Sequence, residues 1–323
     1  MFRWKATALL LLVSIFASLS ALAQSEKFPG KPLRVIVPFP AGGLVDGVAR
    51  LTSSGLGEVL RQPVLVENRP GAGGSIGAAA AATAAPDGHT ILLVLDPHAI
   101  NHHLYKSLPF DTFKSFTYVT QLVGSPQLVA AATNFRPSSL KELIEAAKAK
   151  PDGVSYGSIG SGSANHLNAL VLQQLSGTRM LHVPYKGGAP LLQDVIGGQI
   201  NIAFLAAPTA FAHIKAGRMK ALAVGSAKRL PQLPDVPTLD ETFKGFLASA
   251  WIGVALPAGV SAPVVTALHG AYQKVLADPS IKEKLIAQGF EIVGSSSEAF
   301  TAFVKEQSEI LGKVIRDNNL TVE

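Results

Sequence analysis

The sequence predicts an α/β protein of two lobes, each a mainly parallel sheet flanked by helices, with a ligand cleft between the lobes. Three observations support this prediction. Short β-branched strands alternate with helical segments along most of the chain, which is the rhythm of doubly wound parallel sheets. The alternation runs in two series, one on either side of about residue 120. No low-complexity linker separates the series, so we expect crossing strands rather than a flexible tether to join the lobes.

The first series comprises three apolar strands and the two helices between them. Leu33-Arg34-Val35-Ile36-Val37 is a short β-branched run and predicts the first buried strand. Apolar residues then recur at helical spacing, and an Ala-rich helix begins at Ser75, which we expect to act as its N-cap. The predicted strands are 33–37, 64–66 and 90–95, and the predicted helices are 44–60 and 75–85.

The second series follows the same pattern. Ser139, with Glu142 three residues later, has the capping-box pattern of a helix start. The predicted strands are 126–132, 154–156, 180–183, 200–205, 221–224 and 248–256, and two helices, 263–277 and 297–318, finish the chain.

We expect the chain to cross between the lobes twice, near residues 120–127 and 245–252. These crossings set the predicted division of the chain. Residues 24–124 and 248–323 form lobe I, and residues 125–247 form lobe II.

Residues 1–23 have the three-part pattern of a secretory signal peptide. Arg3 and Lys5 supply the positive start, an apolar run follows, and Ala21-Leu22-Ala23 supplies small residues at the −3 and −1 positions. The alternative is an uncleaved membrane anchor, but the apolar run is shorter than the roughly 20 residues that a span needs. We therefore expect cleavage after Ala23 and a mature protein in the periplasm. The absence of cysteine excludes disulfides and a lipoprotein attachment site.

Composition indicates a globular protein and argues against a nucleic-acid partner. Hydrophobic residues make up 48% of the sequence and charged residues 15%, which favours a packed core over disorder. Loss of Arg3 and Lys5 would leave 26 of the 28 basic residues against 22 acidic ones, a net charge of +4. No block of basic and aromatic residues accompanies this weak charge, so we predict no nucleic-acid binding.

Three glycine-rich loops each follow a predicted strand and precede a predicted helix. They span residues 38–43, 157–162 and 184–188. Loops at the carboxyl ends of strands line the ligand crevice of open α/β sheets, and the helix N-termini that follow present unpaired N–H groups to an anion. Any one of these loops is explained equally well as a tight turn. Their recurrence in both lobes predicts a shared cleft for a small organic anion.

Other motifs match patterns of enzymes or metal sites, but they support such a site less strongly than the three loops support an anion cleft. Gly73-Gly74-Ser75-Ile76-Gly77 matches the nucleophile-elbow pattern of hydrolases, but a loop separates Ser75 from the preceding strand, whereas an elbow needs its serine at the strand end. The glycine spacings do not fit the dinucleotide-binding pattern. His98 and His102 have metal-binding spacing for a helix, yet no Cys or Glu motif accompanies them. We therefore predict a non-catalytic protein without a cofactor or metal.

Several motifs together carry a family resemblance. They are Pro38-Phe39-Pro40-Ala41-Gly42-Gly43 with Asp46, Ala49 and Arg50; Val66-Glu67-Asn68-Arg69-Pro70-Gly71-Ala72-Gly73-Gly74; Pro86-Asp87-Gly88-His89-Thr90; Tyr156-Gly157-Ser158 with His166; His182-Val183-Pro184-Tyr185-Lys186-Gly187-Gly188; and Leu233-Pro234-Asp235-Val236-Pro237-Thr238. Each motif alone is moderately specific, but they run in order through essentially the whole mature chain. In this the sequence resembles the Bug-type extracytoplasmic solute receptors, the substrate-binding proteins of tripartite tricarboxylate transporters.

The resemblance implies a periplasmic-binding-protein-like receptor whose two lobes close on a small carboxylate. In this family the loop after the first strand and the facing loop of the second lobe hold a ligand carboxylate, largely through backbone groups and water. The implied partners are membrane transporter subunits or, as the alternative, a membrane sensor kinase that the receptor informs of its ligand. A monomer is expected. The implied ligand-binding residues are Phe39, Ala41, Gly42, Gly43 and Asp46 from one lobe and Ser158, Gly160, Ser161, His166 and Tyr185 from the other.

Two places depart from the family pattern. Leu44-Val45 is apolar where the family has a small or Pro residue followed by a hydroxyl residue, and Asp96-Pro97-His98 is more polar than expected after the third strand. We hypothesise that these residues alter ligand choice, with Asp96 binding an amine or hydroxyl group of the ligand. The alternative for Leu44 and Val45 is that they simply pack the first helix.

Overall fold

The computed structural model describes residues 28–322 and has the two-lobed α/β fold that the sequence predicts. The predicted signal peptide and its cleavage after Ala23 lie outside these residues. The described strands are connected in one ten-stranded arrangement, which divides into two sheets that share one long strand. In the first sheet three strands run parallel: β1 (Leu33–Val37), β2 (Val64–Asn68) and β3 (Thr90–Leu95), with β1 between the other two.

Each of these strands leads into a helix: α1 (Leu44–Leu60), α2 (Ser75–Ala82) and α3 (Asp96–Leu104). Helix α3 was not predicted from the sequence; its start carries Pro97, a favourable residue for a first helical turn. The N-cap prediction for Ser75 is wrong, because Gly74 is the N-cap of α2. Ser75 begins that helix, and its Oγ accepts a hydrogen bond from Asn101 Nδ2 at 2.9 Å, so its hydroxyl binds a neighbouring helix rather than its own backbone.

Two long antiparallel strands, β4 (Phe116–Ala132) and β9 (Ser249–Pro257), connect the sheets. They pair with each other along β9, and β9 also pairs with β3. Beyond Pro126, β4 continues into the second sheet. The apolar pattern predicts a strand only at 126–132, because Thr120, Gln121 and Ser125 interrupt it in the preceding segment. All three of these polar residues are nevertheless buried.

The second sheet has a parallel unit of its own. Its strands are β5 (Ser155–Ser158), β6 (Leu181–Pro184), β7 (Ile202–Ala206) and β8 (Met219–Val224). Its helices are α4 (Leu140–Ala149), α5 (Ala164–Ser176), α6 (Gly188–Ile196), α7 (Ala207–Lys215) and α8 (Leu239–Thr242). β5 lies between β6 and β7 in parallel, and β7 and β8 pair antiparallel with the far half of β4.

Ser139 caps α4 as predicted, since its Oγ accepts a hydrogen bond from Glu142 N at 3.2 Å. The Glu142 carboxylate, however, accepts from Ser138 N at 2.7 Å rather than from Ser139. In a capping box the Glu142 side chain would accept from the N–H of the N-cap residue Ser139. Here it accepts from the residue before, and it still satisfies a backbone N–H at the helix start.

Parallel pairing holds within each three-stranded unit, whereas β4 and β9 add antiparallel pairs that make both sheets mixed. The chain passes to the second sheet at Gln127, whose N–H donates to Ala248 O at 2.8 Å, and it returns at Ser249. The division into 24–124 with 248–323 and 125–247 stays a prediction, because strand pairing assigns residues to sheets and does not delimit lobes.

The C-terminal part packs on the first sheet and reaches toward the second. It comprises α9 (Ala262–Ala277), α10 (Pro279–Ala287), the short strand β10 (Glu291–Ile292) and α11 (Ser297–Asp317). β10 pairs with β4, and α11 packs against both α3 and α5. Within residues 28–322, no helix combines the length and apolar character that crossing a membrane requires.

Apolar side chains cover both faces of the first sheet. In β3, Ile91 and Leu93 belong to the cluster on one face and Leu92 and Val94 to the cluster on the other, as the two-residue period of a strand requires. Full burial of each such side chain contributes about 1.5–3 kcal/mol. Leu167 of α5 joins the second of these clusters, so an element of the second sheet packs against the core of the first.

Candidate functional site

The loop between β1 and α1, residues 38–43, is held in place by two polar side chains. Gly42, at a φ of +78° that favours glycine, donates its N–H to Asp46 Oδ2 at 2.9 Å. Asn68, the last residue of β2, donates from Nδ2 to Phe39 O at 3.1 Å and to Asp46 Oδ1 at 2.9 Å. The loop is therefore pinned at both ends, while Ala41 and Gly43 are exposed.

Asp46 is a buried carboxylate whose oxygens are occupied by protein donors. Arg50 Nε donates to Oδ2 at 2.9 Å, alongside Gly42 N–H and Asn68 Nδ2. These hydrogen bonds, with that from Arg50 the strongest, lower the pKa of Asp46 to about 2 although burial opposes the shift. Asp46 was predicted as a ligand-binding residue; the geometry places it behind the loop, where it orients backbone N–H groups.

The helices that follow the three predicted loops all begin without a side-chain cap. The N-cap residues of α1, α5 and α6 are Gly43, Ser163 and Gly187, and no side chain at these positions accepts a hydrogen bond from the first N–H groups of its helix. Ser163 instead donates its hydroxyl to Gly160 O at 2.7 Å. By contrast, Ser139 of α4 caps its helix. The first N–H groups of α1, α5 and α6 thus lack an intrahelical or capping acceptor and can serve an anion.

The two predicted loops of the second sheet meet each other. β5 and β6 pair in parallel up to Ser158 opposite Pro184, and Tyr185 N donates to Ser158 O at 2.9 Å. The starts of α5 and α6 therefore lie side by side at the carboxyl edge of this sheet. Ser161 is exposed on the first of these loops, and Gly160 is half-buried.

Ser158 is fully buried beneath its loop. Its Oγ lies 2.9 Å from Gly160 O and 2.7 Å from His182 Nε2, so the hydroxyl holds the loop against β6. His182 was not among the predicted ligand-binding residues. Its signal was its place in the His182-Val183-Pro184 motif, on the strand that pairs with β5.

His166 and His182 form a stacked pair, with ring centroids 3.9 Å apart and planes within 6°. Gly162 N donates to His166 Nδ1 at 3.0 Å, so the ring proton of a neutral His166 resides on Nε2. Burial, and then the neighbouring His182, lower the pKa of His166 to about 4. His166 is therefore neutral at pH 7 and carries its N–H donor on Nε2.

Tyr185 is half-buried, and its hydroxyl is already engaged. It donates to Asp194 Oδ2 at 2.7 Å, and desolvation together with this carboxylate raises the pKa of Tyr185 to about 12. The hydroxyl proton therefore faces Asp194. Toward a ligand Tyr185 offers its ring and the acceptor side of its oxygen.

Asp96 begins α3 at the end of β3, and 3% of its surface is exposed. Desolvation raises the pKa of its carboxyl to about 7, against the opposing effect of the backbone N–H groups of Asp96 and Trp251. Its neighbour His98 is buried as well, with Nε2 3.1 Å from Tyr118 Oη. The Tyr118 hydroxyl donates to Thr112 O, so it accepts from His98, and the histidine has a structural partner.

The structure brings some of the predicted site residues together and leaves others apart. Gly162 of the second sheet packs against Leu104 of α3. The loops at 157–162 and 184–188 touch each other, but no hydrogen bond within residues 28–322 joins either of them to the loop at 38–43. A groove of about 640 Å³ lies elsewhere, lined by residues of α7, α9, α10 and β10. That lining is mostly apolar and contains none of the uncapped helix starts described above, so the three loops remain the candidate site.

Comparison with known proteins places this arrangement in a family. Residues 48–320 match the sequence model of the tripartite tricarboxylate transporter family receptor. The chain belongs to this receptor family. The match spans far more than half of the chain, as the motif order predicts.

Curated relatives support the same assignment for this receptor. BugT of Bordetella pertussis is 32% identical over 317 residues, which cover 96% of this chain and 97% of BugT. A protein of Agrobacterium vitis is 35% identical over 301 residues, 92% of this chain and 87% of the relative.

Solved structures of similar proteins share the fold of the receptor. The periplasmic binding protein BugD is 36% identical with a TM-score of 0.81, covering 92% of this chain and 100% of BugD. MatC of Rhodopseudomonas palustris, solved with bound malate, is 31% identical with a TM-score of 0.80, covering 89% and 100%. An R. palustris protein solved with adipate is 29% identical with a TM-score of 0.83, covering 91% and 99%. The family and the similar structures are solute-binding proteins rather than enzymes. The resemblance to Bug-type receptors is therefore confirmed, and the comparisons do not support the hydrolase alternative.

Proposed function

We propose that the protein captures a small carboxylate between its lobes in the periplasm and delivers it to membrane transporter subunits. The observation that carries the proposal is the uncapped start of α1, behind which Asp46 and Asn68 hold the loop at 38–43. Free N–H groups at a helix start form an anion site. Similar receptors with bound malate and adipate support a carboxylate as the anion.

The ligand-binding residues divide into groups that touch the ligand and groups that hold the loops. Asp46 positions the backbone N–H of Gly42, and the hydroxyl of Ser158 does the same for the N–H of Gly160 on the second sheet. A ligand that contacts both sheets favours the closed arrangement of the lobes, because only that arrangement satisfies both sets of contacts. The proposed contacts are Phe39, Ala41, Gly42, Gly43 and Asp96 on one side and Gly160, Ser161, His166 and Tyr185 on the other.

The proposal extends to export and to partners. We propose cleavage after Ala23, a monomeric receptor without cofactor or metal, and docking of the ligand-bound form on transporter subunits. A receptor for a membrane sensor kinase would present the same closed form. Pull-down with the ligand-bound protein separates the two partners.

The first test is a thermal-shift screen of residues 24–323 against small carboxylic acids, with their uncharged amides as the control set. A ligand at 100 times its dissociation constant stabilises the folded protein by about 2.7 kcal/mol, which raises the unfolding midpoint visibly. Stabilisation by acids and not by amides supports the proposal. Stabilisation by neither, or by the amides alone, contradicts it.

A second test places a competing carboxylate on the helix start itself. Gly43 has a φ of −81°, which any residue adopts, so Gly43→Asp is expected to cap α1 and to occupy its free N–H groups. We expect a folded protein whose affinity for the acid falls at least about tenfold. Ser261→Asp, at the uncapped start of α9, is the matched control and is expected to bind normally. Equal affinities of the two variants would contradict the assignment of the site to α1.

A further inference from the structure

Asp96 lies at the same sheet edge as the loop that the proposed function uses. β1 and β3 are parallel neighbours, and their carboxyl ends lead to the loop at 38–43 and to Asp96 respectively. Phe39 of that loop and Leu95, which precedes Asp96, line one small cavity of about 10 Å³. The loop that leads to the start of α1 and the residue Asp96 therefore follow neighbouring strands at one edge of the sheet.

Asp96 and Trp251 follow directly beyond the last pair of β3 and β9. The antiparallel register ends where Leu95 pairs with Ile252, and Asp96 is the first residue of α3. The backbone N–H of Trp251 acts on the Asp96 carboxyl, so the two residues are neighbours.

Each of these two side chains has a buried polar atom without a hydrogen-bond partner. Within residues 28–322, Asp96 Oδ1 receives no donor and Trp251 Nε1 finds no acceptor. The residues are 3% and 1% exposed. Buried polar atoms in folded proteins are almost always paired, so an unpaired acceptor and an unpaired donor on these neighbouring residues indicate a partner from outside the chain.

The chemistry of that partner follows from the two atoms. A hydroxyl group donates one hydrogen bond and accepts another, so it satisfies a carboxylate oxygen and an indole N–H together. An ammonium group has donors only and leaves Trp251 Nε1 unpaired. A methylene group leaves both atoms unpaired.

We infer that Asp96 and Trp251 select a hydroxy acid, a ligand that carries a hydroxyl group close to the carboxylate held by the start of α1. This inference rests on the proposed function, because it takes the carboxylate site as given. It adds the class of ligand, which the shared backbone contacts of the loops do not distinguish.

The test is calorimetric titration of residues 24–323 with two sets of acids. Within each set the acids differ only in whether one carbon carries a hydroxyl group, hydrogen or an ammonium group. The first set is lactate, propionate and alanine, the second is malate, succinate and aspartate, and both enantiomers are used where they exist. Burial raises the pKa of Asp96 to about 7, so the titrations are made at pH 8, where its carboxylate form is the acceptor. We expect the hydroxy acid of the better-fitting set to bind at least about tenfold more tightly than its two analogues.

Two variants connect this preference to the residues. Trp251→Phe removes the indole N–H and keeps an aromatic ring against Phe300 and Phe303; Asp96→Ala removes the acceptor. We expect each to reduce the preference for the hydroxyl group to about threefold or less while the affinity for the unsubstituted acid stays within about twofold. Trp251→Phe alone decides the matter if Asp96→Ala does not fold.

The outcomes separate the inference from the proposed function. Acids that bind without a hydroxyl preference, or with a preference for the ammonium analogue, overturn the inference and leave carboxylate capture in place. A hydroxyl preference that survives Trp251→Phe also overturns it. Failure of every acid to bind overturns both.

Discussion

Gly162 packs so closely against Leu104 that a Cβ on the glycine would lie 2.7 Å from Leu104 Cδ1. Gly162 belongs to the loop before α5 and Leu104 to the end of α3, so the contact joins elements of the two sheets. Gly162 also has a φ of +76°, a conformation that side chains with a Cβ rarely adopt. The place where the sheets touch is thus part of a predicted ligand loop.

Gly162→Ala is expected to weaken ligand binding by about tenfold or more. The added methyl group would overlap Leu104. To relieve this overlap, either the two sheets move apart or the loop that precedes α5 is distorted. Isothermal titration with the acid identified in the screen measures the effect.

Gly177→Ala is the matched control for this change. Gly177 lies at the other end of α5 with a φ of +63°, yet nothing lies within 4 Å of the position of its Cβ. The control therefore introduces backbone strain of about 1 kcal/mol without the contact. Equal losses of affinity in the two variants would show that strain, not the contact with Leu104, is responsible.

Asp46→Asn is expected to destabilise the protein by about 1–3 kcal/mol at pH 7, because Arg50, Gly42 and Asn68 lose a charged acceptor. Urea unfolding measures the change. Asp317→Asn, in the exposed pair of Lys313 and Asp317 on α11, is the control and is expected to change stability by less than about 1 kcal/mol. A loss no greater than that of the control would show that the loop does not depend on Asp46.

The pH dependence of stability is expected to report the burial of Asp96. Its pKa in the folded protein is about 7 against an ordinary value of 3.8, so the folded state holds this proton more tightly than the unfolded chain. The stability that this proton contributes is full below about pH 3.8 and is lost as the pH rises through about 7. The slope is at most about 1.4 kcal/mol per pH unit.

Comparison with Asp96→Asn isolates this contribution. His98 and His166, whose pKa values burial lowers to about 3 and about 4, change stability in the opposite direction in acid. Their effect cancels when the unfolding free energy of the variant is subtracted from that of the wild type at each pH. We expect the difference to fall between about pH 4 and pH 7 and to be constant above that range; a difference that is constant throughout would contradict the burial of the Asp96 carboxyl.

Ser158 and His182 are expected to act as a unit. Ser158→Ala leaves His182 Nε2 without its partner at 2.7 Å, and His182→Phe leaves the serine hydroxyl with only the backbone N–H and O of Gly160. A double-mutant cycle of unfolding free energies is expected to give a coupling of about 0.5–3 kcal/mol. Additive losses would mean that the two side chains hold the loop independently.

Much of the framework could be predicted from local patterns. The β-branched run at 33–37 and the helical spacing after Leu44 are properties of neighbouring residues, and both elements form where predicted. The glycine-rich loops could be placed for the same reason. Apolar periodicity could not identify β4 over 116–125, because its polar residues are buried by strands that are distant in sequence.

The roles of individual site residues were harder to predict than their positions. Asp46 has the residue type of a ligand contact, but protein donors bind its carboxylate. Gly42 and Arg50 lie four residues away on either side, and only the fold brings Asn68 of β2 to it. His182 was missed because its partner Ser158 lies on another strand. Ser75 has the residue type of an N-cap, yet its hydroxyl accepts a hydrogen bond from Asn101 of α3 instead.

The sequence by itself determined the α/β class, the alternation of strands and helices, the family and the position of the three loops. These features depend on residue order and on interactions within a few residues of one another, which any chain with this pattern shares. Only the tertiary structure decided that β4 serves both sheets, that Asp46 binds Asn68, and that Asp96 and Trp251 each have, within residues 28–322, a buried polar atom without a hydrogen-bond partner. Burial and hydrogen bonding between residues far apart in the chain exist only after the sheets have formed, and they set the chemistry of the site.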